Sequence, residues 1–253
     1  MNCAGQAVLI TGGGSGLGAA TTEMLAGLGA KVGIVDVNMQ AAQSMAKKTG
    51  GIALVGDVAD SAAMETVFAD SLAAHGPCRV LVNCAGIGTA KRVVGRDGPM
   101  PLADFERVIR VNLIGSFNMM RLAGAQMSKA DPLDGGERGV IISTASVAAF
   151  EGQVGQAAYA ASKGGIAALT LPVARELASF GVRVLTIAPG LFLTPLLQTL
   201  PDEVQKSLGS SIPFPNRLGG ADEFAFLVRH MIENIYLNGE NIRLDGALRL
   251  PPK

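Results

Sequence analysis

The sequence predicts one α/β domain built on a doubly wound, mostly parallel sheet of seven strands. Three observations predict it. Short apolar runs alternate with helix-forming stretches along the whole chain, the pattern of parallel strands joined by crossover helices. Of the 253 residues, 49% are hydrophobic and only 17% charged, which suits a sheet covered on both faces. A glycine-rich turn, Thr11 to Gly18, separates the first strand from the first helix. The length fits a single large domain, and no internal repeat divides it.

Val8-Leu9-Ile10 is the first strand, and Ala19 to Leu28 the helix beyond the turn. A strand, a glycine turn and a helix N-terminus point backbone N–H groups and the positive end of the helix dipole at an anion. Glycine lets a pyrophosphate approach the backbone closely. The spacing is Gly12-x-x-x-Gly16-x-Gly18 rather than G-x-G-x-x-G. With 33 glycines in the chain, the turn carries weight through its place between strand and helix. The second strand, Lys31 to Val35, ends in Asp36, eighteen residues after Gly18. A carboxylate there can hydrogen-bond a ribose 2′-hydroxyl and repels a 2′-phosphate. Val37 follows it and Ser15 sits in the turn, so no basic group is offered to a phosphate and NAD is favoured over NADP. Asp36 can also serve as the cap of the next helix.

Further strands are expected at Gly51–Gly56, Arg79–Asn83, Gly139–Ser143, Val182–Ala188 and Asn241–Leu244. The intervening helices are expected at Met39–Thr49, Ser61–His75, Leu102–Ala130, Gln156–Ser179 and Ala221–Glu233. Right-handed crossovers place helices on both faces, a Rossmann-type arrangement. Ligands bind such sheets beyond the carboxyl ends of the strands. Asp36, Asp57, Asn83, Ser146 and Pro189 all fall at or just after strand ends and are expected to converge there. Residues 191–220 read as an irregular lid with Pro195, Pro201, Pro213 and Pro215. Its apolar start (Leu191, Phe192, Leu193, Leu196, Leu197) suits an acyl chain, and equally suits packing on the core.

Tyr159 and Lys163 carry the chemistry. An i, i+4 pair on a helix projects from one face. A free tyrosine, with a pKa of about 10, is a poor proton acceptor at neutral pH. An ammonium ~6 Å away, at an effective dielectric of ~20, favours the phenolate by about 3 kcal/mol. Lys163 is therefore expected to lower the pKa of Tyr159 towards useful acid–base work.

Other functions are disfavoured by composition. The formal charge is zero, with 21 basic and 21 acidic residues, so neither nucleic acid nor an anionic membrane is expected as a partner. No run of about 18 apolar residues suggests a membrane span. The first strand starts within ten residues of Met1, which leaves no room for a signal peptide. Cys3, Cys78 and Cys84 have no metal-like spacing, and with no secretion signal a reducing, cytoplasmic compartment is expected. His75 and His230 are isolated, and no metal site is expected.

Taken in order, Thr11 to Gly18, Asp57-Val58, Asn83-Cys84-Ala85-Gly86, Asn112, Ser146, Tyr159-x-x-x-Lys163 and Pro189-Gly190 make the chain resemble the short-chain dehydrogenase/reductase family over its whole length. Within that family it is similar to the type II 3-hydroxyacyl-CoA dehydrogenases, also described as 17β-hydroxysteroid dehydrogenases. The likeness runs through Ser146–Tyr159, Ala188–Phe192, Ile212–Pro215 and Leu237–Gly246. Gly88 to Met100 departs from that subgroup's pattern, and so does Leu193, where a smaller residue is expected.

The resemblance implies roles. Tyr159 would be the general base in oxidation and the acid in reduction, and Lys163 would also hold the nicotinamide ribose. Ser146, thirteen residues before Tyr159, would orient the substrate oxygen; Ser143 and Thr144 are its local competitors. Asn112 would hold a water linking the lysine to solvent. NAD contacts carry over to Gly12, Ser15, Gly16, Leu17, Gly18, Asp36, Asp57, Val58, Asn83, Cys84, Ala85, Gly86, Tyr159, Lys163, Pro189, Phe192 and Thr194. Substrate contacts carry over to Ser146, Gln153, Tyr159 and Leu193. The implied activity is oxidation of a short or branched 3-hydroxyacyl-CoA ester. The alternatives are a hydroxysteroid or small alcohol dehydrogenase, and a 3-ketoacyl carrier-protein reductase, whose usual NADPH Asp36 argues against. A homotetramer is implied, pairing the helices Leu102–Ala130 and Gln156–Ser179 and packing around the last strand. A structural subunit of a larger assembly is the reading from another class, since animal relatives serve in a mitochondrial tRNA-processing complex. The neutral charge and the complete Ser–Tyr–Lys–Asn set weigh against it.

Overall fold

In the computed structural model, which describes residues 1–194, 197 and 201–252, strands form where apolar residues run without interruption. They are β1 (Ala7–Thr11), β2 (Lys31–Asp36), β3 (Ile52–Val55), β4 (Cys78–Asn83), β7 (Gly139–Thr144), β8 (Val182–Pro189) and β9 (Asn241–Leu244). They pair in the order β3-β2-β1-β4-β7-β8-β9, every pair parallel. All residues of β1, β4, β7 and β8 are buried. The chain thus forms the single, seven-stranded, doubly wound domain that its alternating pattern predicts.

Alternate strand residues feed two cores, as the two-residue repeat of a strand requires. Val8, Ile10, Val32, Ile34, Val80 and Val82 pack on one face. There they meet α1 (Gly16–Gly27), α2 (Met39–Thr49) and α8 (Ala221–Glu233) through Leu25, Met45, Phe224 and Met231. Leu9, Val35, Leu81, Ile141 and Val184 pack on the other. There they meet α3 (Ser61–His75), α5 (Gly115–Met127) and α6 (Ala157–Leu177) through Met64, Phe68, Met119, Met127 and Ala174. Side-chain caps start two of these helices: Asn38 accepts from the Ala41 N–H and Asp60 from the Ala63 N–H. Buried Arg183 donates to Glu137 at 2.8 Å and to the carbonyls of Met231 and Ile232, tying the end of α8 to β8.

Three features differ from expectation. The stretch Leu102–Ala130 is α4 (Leu102–Ile109) and α5, joined by a π-helical turn at Arg110–Ile114 and ending at Met127. The segment 191–220 contains a helix, α7 (Asp202–Ser210), opened by Pro201 with Asp202 and Glu203 in its first turn. The sequence reading treats that stretch as irregular because its prolines lie on both sides of the helix. Gly88–Met100 holds a small antiparallel hairpin, β5 (Val94–Gly95) and β6 (Gly98–Pro99). Among the described residues, no helix is long and apolar enough to cross a membrane.

Candidate active site

The order in which strands are added reverses between β1 and β4, and the site opens there. Thr11 closes β1, and its hydroxyl accepts the N–H groups of Cys84 and Ala85, both at 3.1 Å. The glycine turn is thereby fixed to the end of β4. Gly12 takes a φ of +61°, and a Cβ at Gly18 would lie 2.2 Å from the Gly12 carbonyl oxygen. No other residue fits that approach, so turn and helix α1 form a narrow cradle with the helix N-terminus facing outward. Ser15 stands at the N-cap of α1 without a side-chain capping bond. The Asp36 carboxylate accepts the Gly14 N–H at 3.1 Å and the Asn38 N–H at 2.9 Å, which anchors it beside the turn. Asn38, not Asp36, caps α2. A cradle for a pyrophosphate with a fixed carboxylate beside it fits a dinucleotide.

A cavity of about 870 Å³ runs from this cradle across the strand ends. Every residue assigned above to cofactor contact lines it except Asn83. Asn83 is buried at the end of β4, where its amide donates to the Ser143 hydroxyl at 3.2 Å. That bond occupies Ser143, and the Thr144 hydroxyl meets the Cys84 sulfur at 3.8 Å. Of the three candidates, Ser146 alone acts on the Tyr159 phenol, lowering its pKa, and its hydroxyl also accepts the Ala148 N–H at 3.1 Å. Gln153 lines the same cavity. Phe192 does two things: its ring packs edge-on against Phe224 and over Gly219, and it borders the cavity. Leu193 is not brought in. It is 37% exposed, hydrogen-bonded through its backbone to Gly219, and absent from the cavity wall. Leu191 and Leu197 line the cavity, and Leu196 lies outside the described residues.

Asn112 sits behind the cavity, fully buried in the π-helical turn rather than on an exposed helix face. Its oxygen accepts the Ile87 N–H at 2.8 Å. Its amide donates to the Ile87 carbonyl at 2.9 Å and the Ser162 hydroxyl at 3.0 Å. One side chain therefore joins the loop after β4, the turn and α6. Turns of this kind widen a helix by one residue and recur at functional sites. The sequence reading missed Gln156, Val111, Ile87 to Ala90 and Leu250, all of which line the cavity. Leu250 belongs to Arg249-Leu250-Pro251-Pro252, a stretch with no period to signal a role.

Residues 6–205 match the short chain dehydrogenase family model. The chain belongs to the short-chain dehydrogenase family. It is an oxidoreductase of the kind that works with a nicotinamide cofactor. It is 53% identical to the 3-hydroxyacyl-CoA dehydrogenase type-2 of Rattus norvegicus and 52% identical to that of Bos taurus, in each case over 98% of this chain and 97% of the relative. It superposes on the crystal structure of 3-hydroxyacyl-CoA dehydrogenase type-2 from Mycobacterium avium with a TM-score of 0.92. That pair is 38% identical, over 98% of this chain and 97% of the other.

The electrostatics of this dehydrogenase site depart from the expectation that Lys163 lowers the Tyr159 pKa. Burial pushes the Tyr159 phenol above its ordinary value, and the Ser146 hydrogen bond offsets only part of that. Lys163 is buried too, its Nζ 5.7 Å from the Tyr159 ring centroid and donating to the Thr144 carbonyl at 2.7 Å. Burial pulls its own pKa down to about 8.

A lysine whose folded pKa lies below its unfolded value of about 10.5 destabilises the fold most below pH ~8, where it is charged in both states. The penalty is about 3 kcal/mol, and it fades as pH rises through the window from about 8 to 10.5. Lys163→Met is expected to abolish turnover and yet raise the melting temperature at pH 7 by a few degrees, since only about 1 kcal/mol is lost with the Thr144 hydrogen bond. Calorimetry across pH checks this: the advantage should shrink between pH 8 and 10, and a lower melting temperature at pH 7 would contradict it.

Proposed function

We propose that this short-chain dehydrogenase catalyses the reversible, NAD-dependent oxidation of a short or branched 3-hydroxyacyl-CoA to the 3-ketoacyl-CoA. The observation that carries the reading is the likeness to mammalian 3-hydroxyacyl-CoA dehydrogenases type-2, 51 to 53% identical over 98% of the chain. The 3-oxoacyl-[acyl-carrier-protein] reductase of Thermotoga maritima is 34% identical, which favours the CoA ester over the carrier-protein ester.

NAD, when bound, would accept the hydride from the carbinol carbon. The Ser146 hydroxyl, already on the Tyr159 phenol, orients the substrate hydroxyl between the two. Tyr159 takes its proton in oxidation and returns it in reduction. Lys163, charged below about pH 8, holds the nicotinamide ribose and favours the phenolate once water is excluded and the effective dielectric falls. Asn112 keeps α6 and the loop after β4 in register and holds the water through which the lysine exchanges protons. Asp57 and Val58 would hold the adenine end, Cys84 to Gly86 just after β4 would border the cofactor, and Pro189, Phe192 and Thr194 would hold the carboxamide; all of them line the cavity. Cys84 is a packing contact, because burial lifts its thiol to about 11 and leaves it inert. Leu191, Phe192 and Leu197 offer apolar cover to the acyl chain. At about 0.8 kcal/mol per buried methylene, they discriminate only modestly between neighbouring lengths. The free thiols Cys3, Cys78 and Cys84 agree with a reducing, cytoplasmic setting.

Tyr159→Phe is expected to reduce kcat by at least a thousandfold while leaving NADH binding within a few-fold of the parent, because the ring still packs and only the proton carrier is lost. Fluorescence titration with NADH, beside turnover, checks both halves; activity within tenfold of the parent would assign the base elsewhere.

NAD is expected to be preferred over NADP by at least a hundredfold in kcat/KM. A 2′-phosphate would meet the Asp36 carboxylate, and among the described residues no basic side chain lines the adjoining wall. Asp36→Ala is expected to narrow the gap at least tenfold, mainly by weakening NAD. Equal use of both cofactors by the parent would remove Asp36 from this role.

The protein is expected to form a homotetramer. Ile114 and Phe117 near the start of α5 and Leu171 on α6 are 51%, 48% and 44% exposed in the single chain, a stripe that pairing of these helices would cover. Light scattering at micromolar concentration should give about four times 25.9 kDa, and a monomeric mass would refute the assembly.

The substrate assignment is tested by kcat/KM across 3-hydroxyacyl-CoA esters from C4 to C16, a 2-methyl-branched ester, a steroid alcohol and a simple secondary alcohol. The short or branched esters are expected to lead. If the steroid or the simple alcohol is used better than every CoA ester, the substrate assignment fails.

A further inference from the structure

The stretch after β9 folds back over the loop that precedes α6, and it does so through a compact set of charges. Glu151 accepts from Arg243 through both carboxylate oxygens, at 2.7 and 3.2 Å, and from the Leu250 N–H at 3.0 Å. Arg243 also donates to Asp245 at 2.7 Å and to the Leu248 carbonyl at 3.0 Å, and its guanidinium lies 5.6 Å from the Phe150 ring centroid. Arg249 reaches Glu151 and Asp245 from the outside, both at 3.3 Å. Backbone bonds continue the seam: the Val154 N–H donates to the Pro252 carbonyl at 3.0 Å, and the Gln153 amide to the Pro251 carbonyl at 3.1 Å.

The seam has a direct bearing on the cavity. Gln153 and Leu250, on its two sides, both line the space that holds Ser146 and Tyr159. The Gln153 N–H is in turn held by Gln156 at 3.0 Å, at the N-terminus of the helix that carries Tyr159. Leu250 is the only side chain of the segment after β9 in that wall among the described residues, and it is apolar. It has nothing to offer the polar CoA handle, so its complement in a 3-hydroxyacyl ester is the alkyl part. The Glu151 carboxylate decides where Leu250 sits because it takes the backbone N–H of Leu250 itself.

We infer that Leu250 is a specificity-determining residue that limits the acyl length the cavity accepts, and that Glu151 and Arg243 are positioning residues that hold it against the substrate loop. The inference rests on the acyl-CoA reading and adds to it a residue far from the catalytic set in sequence. Removing most of the Leu250 side chain opens the wall by a few methylenes, and at about 0.8 kcal/mol each methylene is worth about fourfold in discrimination, so two or three together exceed tenfold. Loss of the Glu151 charge should let the segment swing away and have a similar effect without touching the cavity directly.

The test measures kcat/KM for 3-hydroxyacyl-CoA esters from C4 to C16 in the full-length parent, Leu250→Ala, Leu250→Phe, Glu151→Gln and the double variant Leu250→Ala/Glu151→Gln, with NADH affinity alongside. Leu250→Ala is expected to raise the C10-to-C4 ratio at least tenfold, and Leu250→Phe to lower it. Glu151→Gln is expected to shift the ratio in the direction of Leu250→Ala, chiefly through KM. The double variant should match Leu250→Ala rather than add to it, since Glu151 acts through Leu250. NADH affinity should stay within a few-fold throughout. An unchanged chain-length profile in both Leu250 variants, in an enzyme whose parent oxidises the esters, overturns the assignment of Leu250 alone. A Glu151→Gln effect that adds fully to that of Leu250→Ala overturns the positioning role. A parent that oxidises no 3-hydroxyacyl-CoA overturns the functional reading on which the inference stands.

Discussion

A parallel sheet covered on both faces leaves no place for chemistry along its strands. Each buried polar group there must find a partner, so β1, β4, β7 and β8 are mostly apolar, and the buried Asn83 and Arg183 side chains are hydrogen-bonded. Polar function is pushed to the carboxyl ends, where the backbone leaves the sheet. The reversal between β1 and β4 is the one point where two such ends separate widely enough to admit a ligand. The Thr11 hydroxyl, shared between the N–H groups of Cys84 and Ala85, holds that gap at a fixed width. The glycine cradle, Asp36 and the Ser146–Tyr159 pair all take their places from it.

The site is organised at some cost in stability. Lys163 is an ammonium held in a buried setting with one backbone carbonyl as its hydrogen-bond partner, and Tyr159 is pushed away from ionisation by the same burial. Burial leaves the pair in a setting where neither group is charged as cheaply as in water. The environment that disfavours the phenolate also strengthens any charge placed beside it, so completion of the site by bound cofactor alters the balance most. Asn112 makes this arrangement rigid. A π-helical turn interrupts a long helix so that one amide can reach Ile87 and Ser162 together, at no loss of partners for the buried side chain.

The substrate side is built differently from the cofactor side. The cofactor half is made of backbone turns at strand ends, which tolerate little change, as the 2.2 Å approach at Gly18 shows. The wall near Ser146 and Tyr159 is made of side chains from segments distant in sequence, among them Gln153, Leu191, Leu197 and Leu250. Gln153 and Leu250 are joined through the Glu151–Arg243 ion pair and hydrogen bonds at the seam. Such contacts are individually weak and individually replaceable. A family that keeps one cofactor and varies its substrate would vary here first.

Local patterning was enough to read the sheet, the glycine turn, the position of Asp36 and the Tyr159–Lys163 pair, because each is written in spacing along the chain. The period of two in the strands, the strand–turn–helix order and the i, i+4 pair all act over a few residues. What spacing could not reveal depends on burial and on contacts between distant segments. Asn112 is singled out by the resemblance alone, and its burial comes from the π turn, which spacing does not reveal. Ser146 is chosen over Ser143 and Thr144 by the spacing that the resemblance supplies, and the structure gives those two other partners. Leu193 was expected at the substrate and lies on the outside, whereas Leu250, ninety-one residues beyond Tyr159, lies in the wall. The acidity of Tyr159 went the same way: spacing set the lysine close to the tyrosine, but desolvation, a property of the whole packed site, decided the direction in which its pKa moved.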